Sequence, residues 1–418
     1  MKQLYFCFPF RGVGGVSVLF VRVAEYIAAA GLAKCYLIDY SDGYMATHRD
    51  PSLTELLEYP ESGKVHIPGG ASIIFQSMTP WSMFPNLAVH ASTKVLFWNC
   101  HPLNLIPSFP GFRTITSRDT LLAKLVLNTV LKNFTIKVRR FLTYLLDKNA
   151  IVFMDGTNLQ VTCDLLGVTV KTPDFLPIPA KLTPDYNGCR RIPDAGVIKF
   201  VWVGRIVDFK YYPLKRFLED LSIFADKSEI KFEVIIVGGG DYIDTLAKEV
   251  LKLRYKVLSI KLIEHIDNEN IDAFILKNAD ISIGMGTSAL EGAKLGVPTL
   301  LFDFSYINIM GAYKYRWVHE STNFNLGEMV GMQNSNPLGN VLQEKIEEFQ
   351  ISGDKISCRE LEYFLAHHKL TAVVDKLLNI LNKTSCEYGQ LQINGFLSRG
   401  FLYSSFDIIR QLFRRYTS

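Results

Sequence analysis

The chain has no closely spaced cysteines. Its seven, Cys7, Cys35, Cys100, Cys163, Cys189, Cys358 and Cys386, are scattered singly, without a Cys-x-x-Cys step. This pattern argues against a disulfide framework and against a zinc site, and it points to a reducing compartment. A long uncharged apolar run is missing as well. The most apolar long window, Val16 to Ala33, carries Arg22 and Glu25, so it reads as a helix inside a domain and no transmembrane span is expected. The opening, Met-Lys-Gln-Leu-Tyr-Phe-Cys-Phe-Pro, lacks the extended apolar region of a signal peptide and runs directly into a strand. A cytoplasmic setting is the expectation. Excess charge of one sign is also absent: 45 basic against 41 acidic residues leave +4 over 418 residues, too little to indicate nucleic acid as a partner. No tandem repeat or low-complexity tract appears.

What is present is a folded composition, 48% hydrophobic and 21% charged, at a length that suits two domains. The first forty residues open as a strand (Leu4 to Phe8), a glycine loop from Arg11 to Ser17, a helix through about Ala30 and a strand from Cys35 to Asp39. That βαβ start predicts a doubly wound α/β sheet. The loop half matches a dinucleotide fingerprint, Gly12-x-Gly14-x-x-Ser17, with Asp39 where a ribose-binding acid would stand. An NAD-dependent oxidoreductase is therefore one alternative, although Ser17 occupies the third glycine position. From Asp42 to Glu61 the chain is polar and broken, and Val65 to Phe75 reads as a pair of strands. Lys94 to Asn99 is a strong strand leading to His101. Residues just past the carboxyl ends of parallel strands line the ligand crevice, so His101 is a candidate to act on or bind an acceptor hydroxyl. The competing reading is a loop histidine with a local hydrogen bond.

From Gly111 to Leu145 seven basic residues (Arg113, Arg118, Lys124, Lys132, Lys137, Arg139, Arg140) and one acid, Asp119, interleave with leucines and phenylalanines at helical spacing. Such a basic amphipathic pair of helices suits an anionic membrane surface, and equally a solvated face over an ordinary core. Asp155 to Asn158 reads as a loop after the strand Ala150 to Met154. A proline-rich stretch marks the linker, at about 178–196. The α/β pattern then restarts. Ile198 to Val203 delivers Gly204, Arg205 and, five residues on, Lys210. Two cations beyond a strand end suit a diphosphate, the guanidinium binding two oxygens and the ammonium adding a point charge. Phe232 to Val237 leads to Gly238-Gly239-Gly240-Asp241. Asp280 to Leu301 reads as strand, glycine turn (Gly284, Gly286), helix from Thr287 and second strand. Gly284 and Gly286 permit close backbone approach, and the N–H groups at Thr287 and Ser288 suit an anion. Glu291, one turn later, could accept from sugar or ribose hydroxyls. A tight turn, a helix cap and a surface acid would account for the same residues.

The pattern Gly-x-Gly-x-x-x-Leu-Glu-x-x-x-x-Gly-x-Pro, met by Gly284, Gly286, Leu290, Glu291, Gly296 and Pro298, resembles the donor-site signature of GT-B glycosyltransferases, especially the retaining family GT4. The Gly-Arg-x-x-x-x-Lys spacing of Gly204, Arg205 and Lys210 matches the same family, as does Gly14-Gly15 before a helix. Ile283 stands where that family carries a first glutamate, and Tyr211 where a glycine is usual. The resemblance implies a GT-B architecture, two doubly wound Rossmann-like domains facing a cleft. The expected domains are 1–178 for the acceptor, a linker at 179–196, 197–390 for a nucleotide sugar, and a basic amphipathic segment at 391–418. It further implies transfer of a sugar from a nucleotide-diphosphate sugar to a glycan or lipid-linked acceptor in bacterial polysaccharide or lipopolysaccharide synthesis. No cofactor, metal or nucleic acid is implied, and the inner-membrane surface is an implied location. Arg205, Lys210, Glu291 and His101 take the reacting roles, and Gly14, Gly15, Gly239, Gly284, Gly286, Thr287 and Ser288 the binding roles. Besides the oxidoreductase, a nucleotide-sugar epimerase and a non-catalytic sugar-binding assembly protein are alternatives.

Overall fold

The computed structural model describes residues 2–398 except 13, 110–111, 113–114, 117–119, 182–195, 253–256 and 331–338. Arg113, Arg118, Asp119, most of the expected linker and residues 399–418 of the expected terminal segment lie outside the described residues. The chain forms two compact units, the first holding residues up to Leu176 and the chain from Val374 on, the second Pro177–Val373.

In the first unit the elements run β1 (Gln3–Cys7), α1 (Gly15–Ala29), β2 (Lys34–Asp39), α2 (Tyr44–His48), β3 (Thr54–Glu58), β4 (Val65–Ile67), β5 (Ser72–Gln76), β6 (Leu87–Val89), β7 (Lys94–Asn99), α3 (Thr120–Asn128), α4 (Lys132–Asp147), β8 (Ile151–Phe153) and α5 (Gly156–Leu166). Six strands form a parallel sheet in the order β3-β2-β1-β5-β7-β8. Its strands read as continuous apolar runs because both faces are covered. Phe6, Phe20, Phe75, Phe97 and Trp98 fill the core. Two stretches differ from expectation. The polar 42–61 region is ordered as α2 and the edge strand β3, whose parallel pairing with β2 outweighs its polarity. Asp155 does not sit in a loop but caps α5, its carboxylate accepting from the Asn158 amide at 2.7 Å.

The second unit runs β9 (Val197–Val203), α6 (Asp208–Ala225), β10 (Lys231–Val237), α7 (Ile243–Lys252), β11 (Leu258–Ile263), α8 (Ile271–Asn278), β12 (Ile281–Gly284), α9 (Thr287–Ala293), β13 (Thr299–Leu301), β14 (Arg316–Trp317) and α10 (Leu342–His367). Its sheet order is β11-β10-β9-β12-β13-β14, parallel except for β14. α10 is broken at Ser352, whose backbone is non-helical (φ −135°, ψ 24°), into two helical stretches. The expected boundary at 390 falls earlier. α11 (Leu370–Lys383) returns the chain to the first unit at Val374, and α12 (Tyr388–Ile393) follows there. Thr384 donates to the Asn149 carbonyl at 2.7 Å and the Tyr388 amide to that of Thr93 at 2.9 Å, which anchors this return.

Phe200, Trp202, Phe217, Phe302, Tyr315 and Trp317 make the second core. Beside it lies a buried ion pair in which the Arg316 guanidinium meets the Asp303 carboxylate at 2.6 and 3.0 Å. The Glu328 amide adds a third donor to the same carboxylate at 2.8 Å. Removing one partner of a buried pair strands the other charge in a medium that solvates it poorly. Arg316→Met is therefore expected to cost about 3–5 kcal/mol in a urea titration; a loss below about 1 kcal/mol would mean that water reaches Asp303.

Candidate active site

In both sheets the main strands follow one order in which the chain reverses direction across the sheet between its first and fourth strands. Ligands of open α/β sheets bind at that switch point, beyond the carboxyl ends of the strands. In the second unit the flanking strands are β9 and β12. They deliver, respectively, Gly204-Arg205 and the Gly284-Met285-Gly286 turn.

The β9 loop is held from several sides. Trp202 Nε1 donates to the Gly204 carbonyl at 3.0 Å. The Gly204 amide donates to Val237 O, the Ile206 amide to Gly239 O and the Tyr242 amide to Ile206 O, at 2.9, 2.9 and 3.1 Å. Gly238 and Gly240, with φ of 134° and 139°, lie so close to the carbonyls of Gly204 and Ile206 that a β-carbon at either would overlap them. The interlock therefore requires those two glycines. Gly239 carries no such constraint and contributes its carbonyl.

A proline explains the opposite wall. Pro213 lies inside α6 and has no N–H for the carbonyl four residues back. The freed Phe209 oxygen accepts from the Ser305 amide at 3.0 Å, tying the segment after β13 to the start of α6. Phe209 then stacks obliquely on Tyr306, centroids 6.0 Å apart. Arg205, Val207, Asp208, Phe209, Lys210, Asp241 and Tyr242 line a cavity of about 510 Å³.

The two motifs read separately in the sequence meet here. A β-carbon at Gly204 would stand 3.6 Å from Lys210 Nζ, 3.7 Å from Ser288 Oγ and 3.7 Å from Trp202 Nε1. Among the described residues neither Arg205 nor Lys210 pairs with a carboxylate. Burial, and then the charge of Arg205, push the Lys210 ammonium below its ordinary pKa. Two like charges held together without a counter-ion favour an anion between them. Thr287 is exposed and Ser288 half-buried at the start of α9. The Ser288 hydroxyl donates to the Met285 carbonyl at 2.8 Å, which sets the turn. Gly286 has φ 58° and open space where a side chain would be. Gly284 is a correction: a β-carbon there would stand 2.7 Å from the Ala289 amide, so this glycine admits the helix rather than a ligand.

Glu291 is partly exposed on α9 and ion-paired with Lys294, a partner that the sequence pattern did not single out. Ile283 is fully buried within β12. Position 283 therefore holds a core side chain in this protein. His101 lies in the first unit just beyond β7, and its Nδ1 accepts from the Leu103 amide at 3.1 Å. Gly14 caps α1 and Gly15 begins it, with open space beside Gly15. Asp39 is turned inward. Its carboxylate accepts from the amides of Phe10, Tyr40 and Met45 at 2.8, 2.9 and 2.8 Å. That arrangement occupies the acid the dinucleotide reading required, and Ser17 is wholly buried.

Two doubly wound units with this crevice constitute a GT-B fold, as the sequence resemblance implied. Among solved structures, a glycosyltransferase from Rickettsia africae ESF-5 is similar over 92% of this chain and 98% of its own, at 14% identity and a TM-score of 0.54. The Anabaena protein HepE, in a complex with UDP and glucose, is similar over 91% and 100%, at 10% identity and a TM-score of 0.48. No family model and no curated protein sequence matches the chain.

Two cations without a carboxylate partner among the described residues make a pH experiment decisive. Protonated Lys210 binds an anion, and the bound anion raises its pKa, so affinity is constant below the free-state pKa and falls as pH rises through it. Inorganic pyrophosphate affinity, measured by calorimetry, should decline in the alkaline range for the wild type. It should decline less in Lys210→Arg, whose guanidinium stays charged; identical profiles would place the anion elsewhere.

Proposed function

We propose that the second unit binds a nucleotide-diphosphate sugar and that the protein transfers the sugar to a hydroxyl of a glycan or lipid-linked acceptor. The observation that carries this is the convergence of Arg205, Lys210 and Ser288 at the β9/β12 switch point, with no carboxylate paired to either cation among the described residues. When the sugar–oxygen bond breaks, negative charge develops on the departing diphosphate. Preorganised cations lower the energy of that state more than that of the bound donor, which is what accelerates the step. Glu291 accepts from a hydroxyl of the nucleotide ribose. In the first unit, His101 binds the acceptor hydroxyl, and the open space at Gly15, next to Gly14, receives the acceptor. The setting implied by the sequence resemblance is bacterial surface polysaccharide.

Peripheral membrane association is a second part of the proposal. α3 turns Leu121, Leu122 and Leu125 outward, 73%, 43% and 59% exposed, while Ala123 and Leu127 pack inward. Exposed Lys132 and Arg140 accompany them on α4. Not every expected cation is free for a membrane: Arg139 donates to the Leu166 carbonyl and to Asn128, and Lys137 to Ser398. The contact is therefore more apolar than the basic composition suggested. No described helix is long and apolar enough to cross a membrane.

Melting-temperature screens against uridine, guanosine, adenosine and cytidine diphosphate sugars, followed by mass-spectrometric product analysis, identify the donor. In the double variant Arg205→Ala/Lys210→Ala transfer should fall at least about 100-fold with unchanged melting temperature. Unchanged turnover would overturn the assignment. Donor consumption without acceptor would instead indicate an epimerase, and binding without turnover a sugar-binding assembly protein. For the membrane, vesicles containing phosphatidylglycerol should pull down the wild type even at roughly 0.5 M salt, where exposed charges are largely screened. Leu121→Ser/Leu122→Ser/Leu125→Ser should abolish this, and equal sedimentation of both proteins would contradict it.

A further inference from the structure

Lys294 is a buried cation, 7% exposed, with a carboxylate on either side. Its Nζ lies 2.5 Å from Glu291 Oε2, three residues back on α9, and 2.8 Å from Asp272 Oδ1 on α8. Burial on its own would push this ammonium down; the charges and hydrogen bonds of Glu291 and Asp272 outweigh it, and the net shift is upward. The lysine is therefore charged and held, and it holds Glu291 in turn. The helix beneath does not give way easily. A β-carbon at Gly292 would overlap the side chains of Ser282 and Thr299, so α9 sits directly on the sheet.

This clamp has two chemical consequences for Glu291. A free glutamate would have to freeze its rotatable bonds on binding a ligand; with Oε2 held by Lys294, most of that ordering precedes binding. Oε1 has no partner among the described residues and remains an acceptor. The second consequence is electrostatic. Glu291 lies one turn from Ser288, and so near the cations proposed for the diphosphate. A bare carboxylate there would repel a diphosphate, and the adjacent ammonium offsets that charge. None of this follows from the sequence pattern, in which position 294 is an unspecified residue between Glu291 and Gly296.

We propose that Lys294, anchored by Asp272, is the positioning residue of the donor site, holding Glu291 so that Oε1 accepts from a ribose hydroxyl of the nucleotide. This rests on the nucleotide-sugar reading, and the test separates the two. The full chain is titrated calorimetrically with UDP, GDP, ADP and CDP, and then with the 2′- and 3′-deoxy forms of whichever binds most tightly. In the wild type at least one deoxy form should bind roughly tenfold more weakly, the worth of a hydrogen bond to a charged group. Glu291→Ala should remove that penalty. Lys294→Met should reduce it to within about twofold although Glu291 is intact, and Lys294→Arg should retain most of it. The penalty is a ratio of two affinities, so a partly unfolded sample does not move it. If Lys294→Met leaves Asp272 too exposed to an uncompensated interior, Lys294→Met/Asp272→Asn removes both charges and reports the same ratio. A full wild-type penalty in that double variant, or in Glu291→Ala, overturns the positioning role while leaving donor binding standing. Failure of all four diphosphates to bind the wild type overturns the donor reading and the role of Lys294 with it.

Discussion

The second unit is organised around two positive charges, Arg205 and Lys210, that pair with no carboxylate among the described residues. Arg205 and Lys210 repel each other, and the protein makes their proximity tolerable by fixing the backbone between them more firmly than repulsion can disturb it. Trp202 grips the Gly204 carbonyl from within the core, and the Gly238 and Gly240 backbones press against the same loop. Pro213, by leaving the Phe209 carbonyl free for Ser305, ties in the wall that follows β13. Each of these contacts is structural in itself. Together they convert burial energy in an aromatic core into a preorganised electrostatic field, which is the form in which a protein can stabilise a departing diphosphate.

The architecture was largely legible in the sequence because parallel sheets write themselves as continuous apolar runs separated by glycine turns. Strand β9, with Arg205 and Lys210 beyond it, and the β12–α9 turn could both be placed from that punctuation. Their meeting could not, since it depends on β9 and β12 being neighbours, a pairing between residues some eighty positions apart. Polar edge elements were harder. Thr54–Glu58 pairs along only one side and buries little, so its composition resembles a loop. The return of the chain at Val374 was also illegible, because an apolar helix face shows only that it is covered, and tertiary contacts decide which core covers it.

Individual site residues divide along the same line. The glycines seemed alike in the sequence, yet they do different work: Gly284 admits a helix, Gly286 supplies a positive φ, and Gly238 and Gly240 let two loops interlock. Asp39 resembled a ribose-binding acid and instead ties together the backbone around β2. Ile283, which looked like a missing carboxylate, is core. Glu291 pairs with Lys294, its i,i+3 neighbour, and Lys294 in turn pairs with Asp272, which no spacing rule brings to it because it lies on the adjacent helix at a distance set by packing. In each case the residue type was visible and its surroundings were not.

A diphosphate at the β9/β12 switch point is the proposed counter-ion of Arg205 and Lys210. A crystal structure of the protein with its tightest-binding nucleoside diphosphate tests it most directly. The two phosphates are expected between the Arg205 guanidinium, the Lys210 ammonium and the Ser288 end of α9. Phosphates lodged instead at the Gly12-to-Ser17 loop of the first unit, with Arg205 and Lys210 facing solvent, would contradict it.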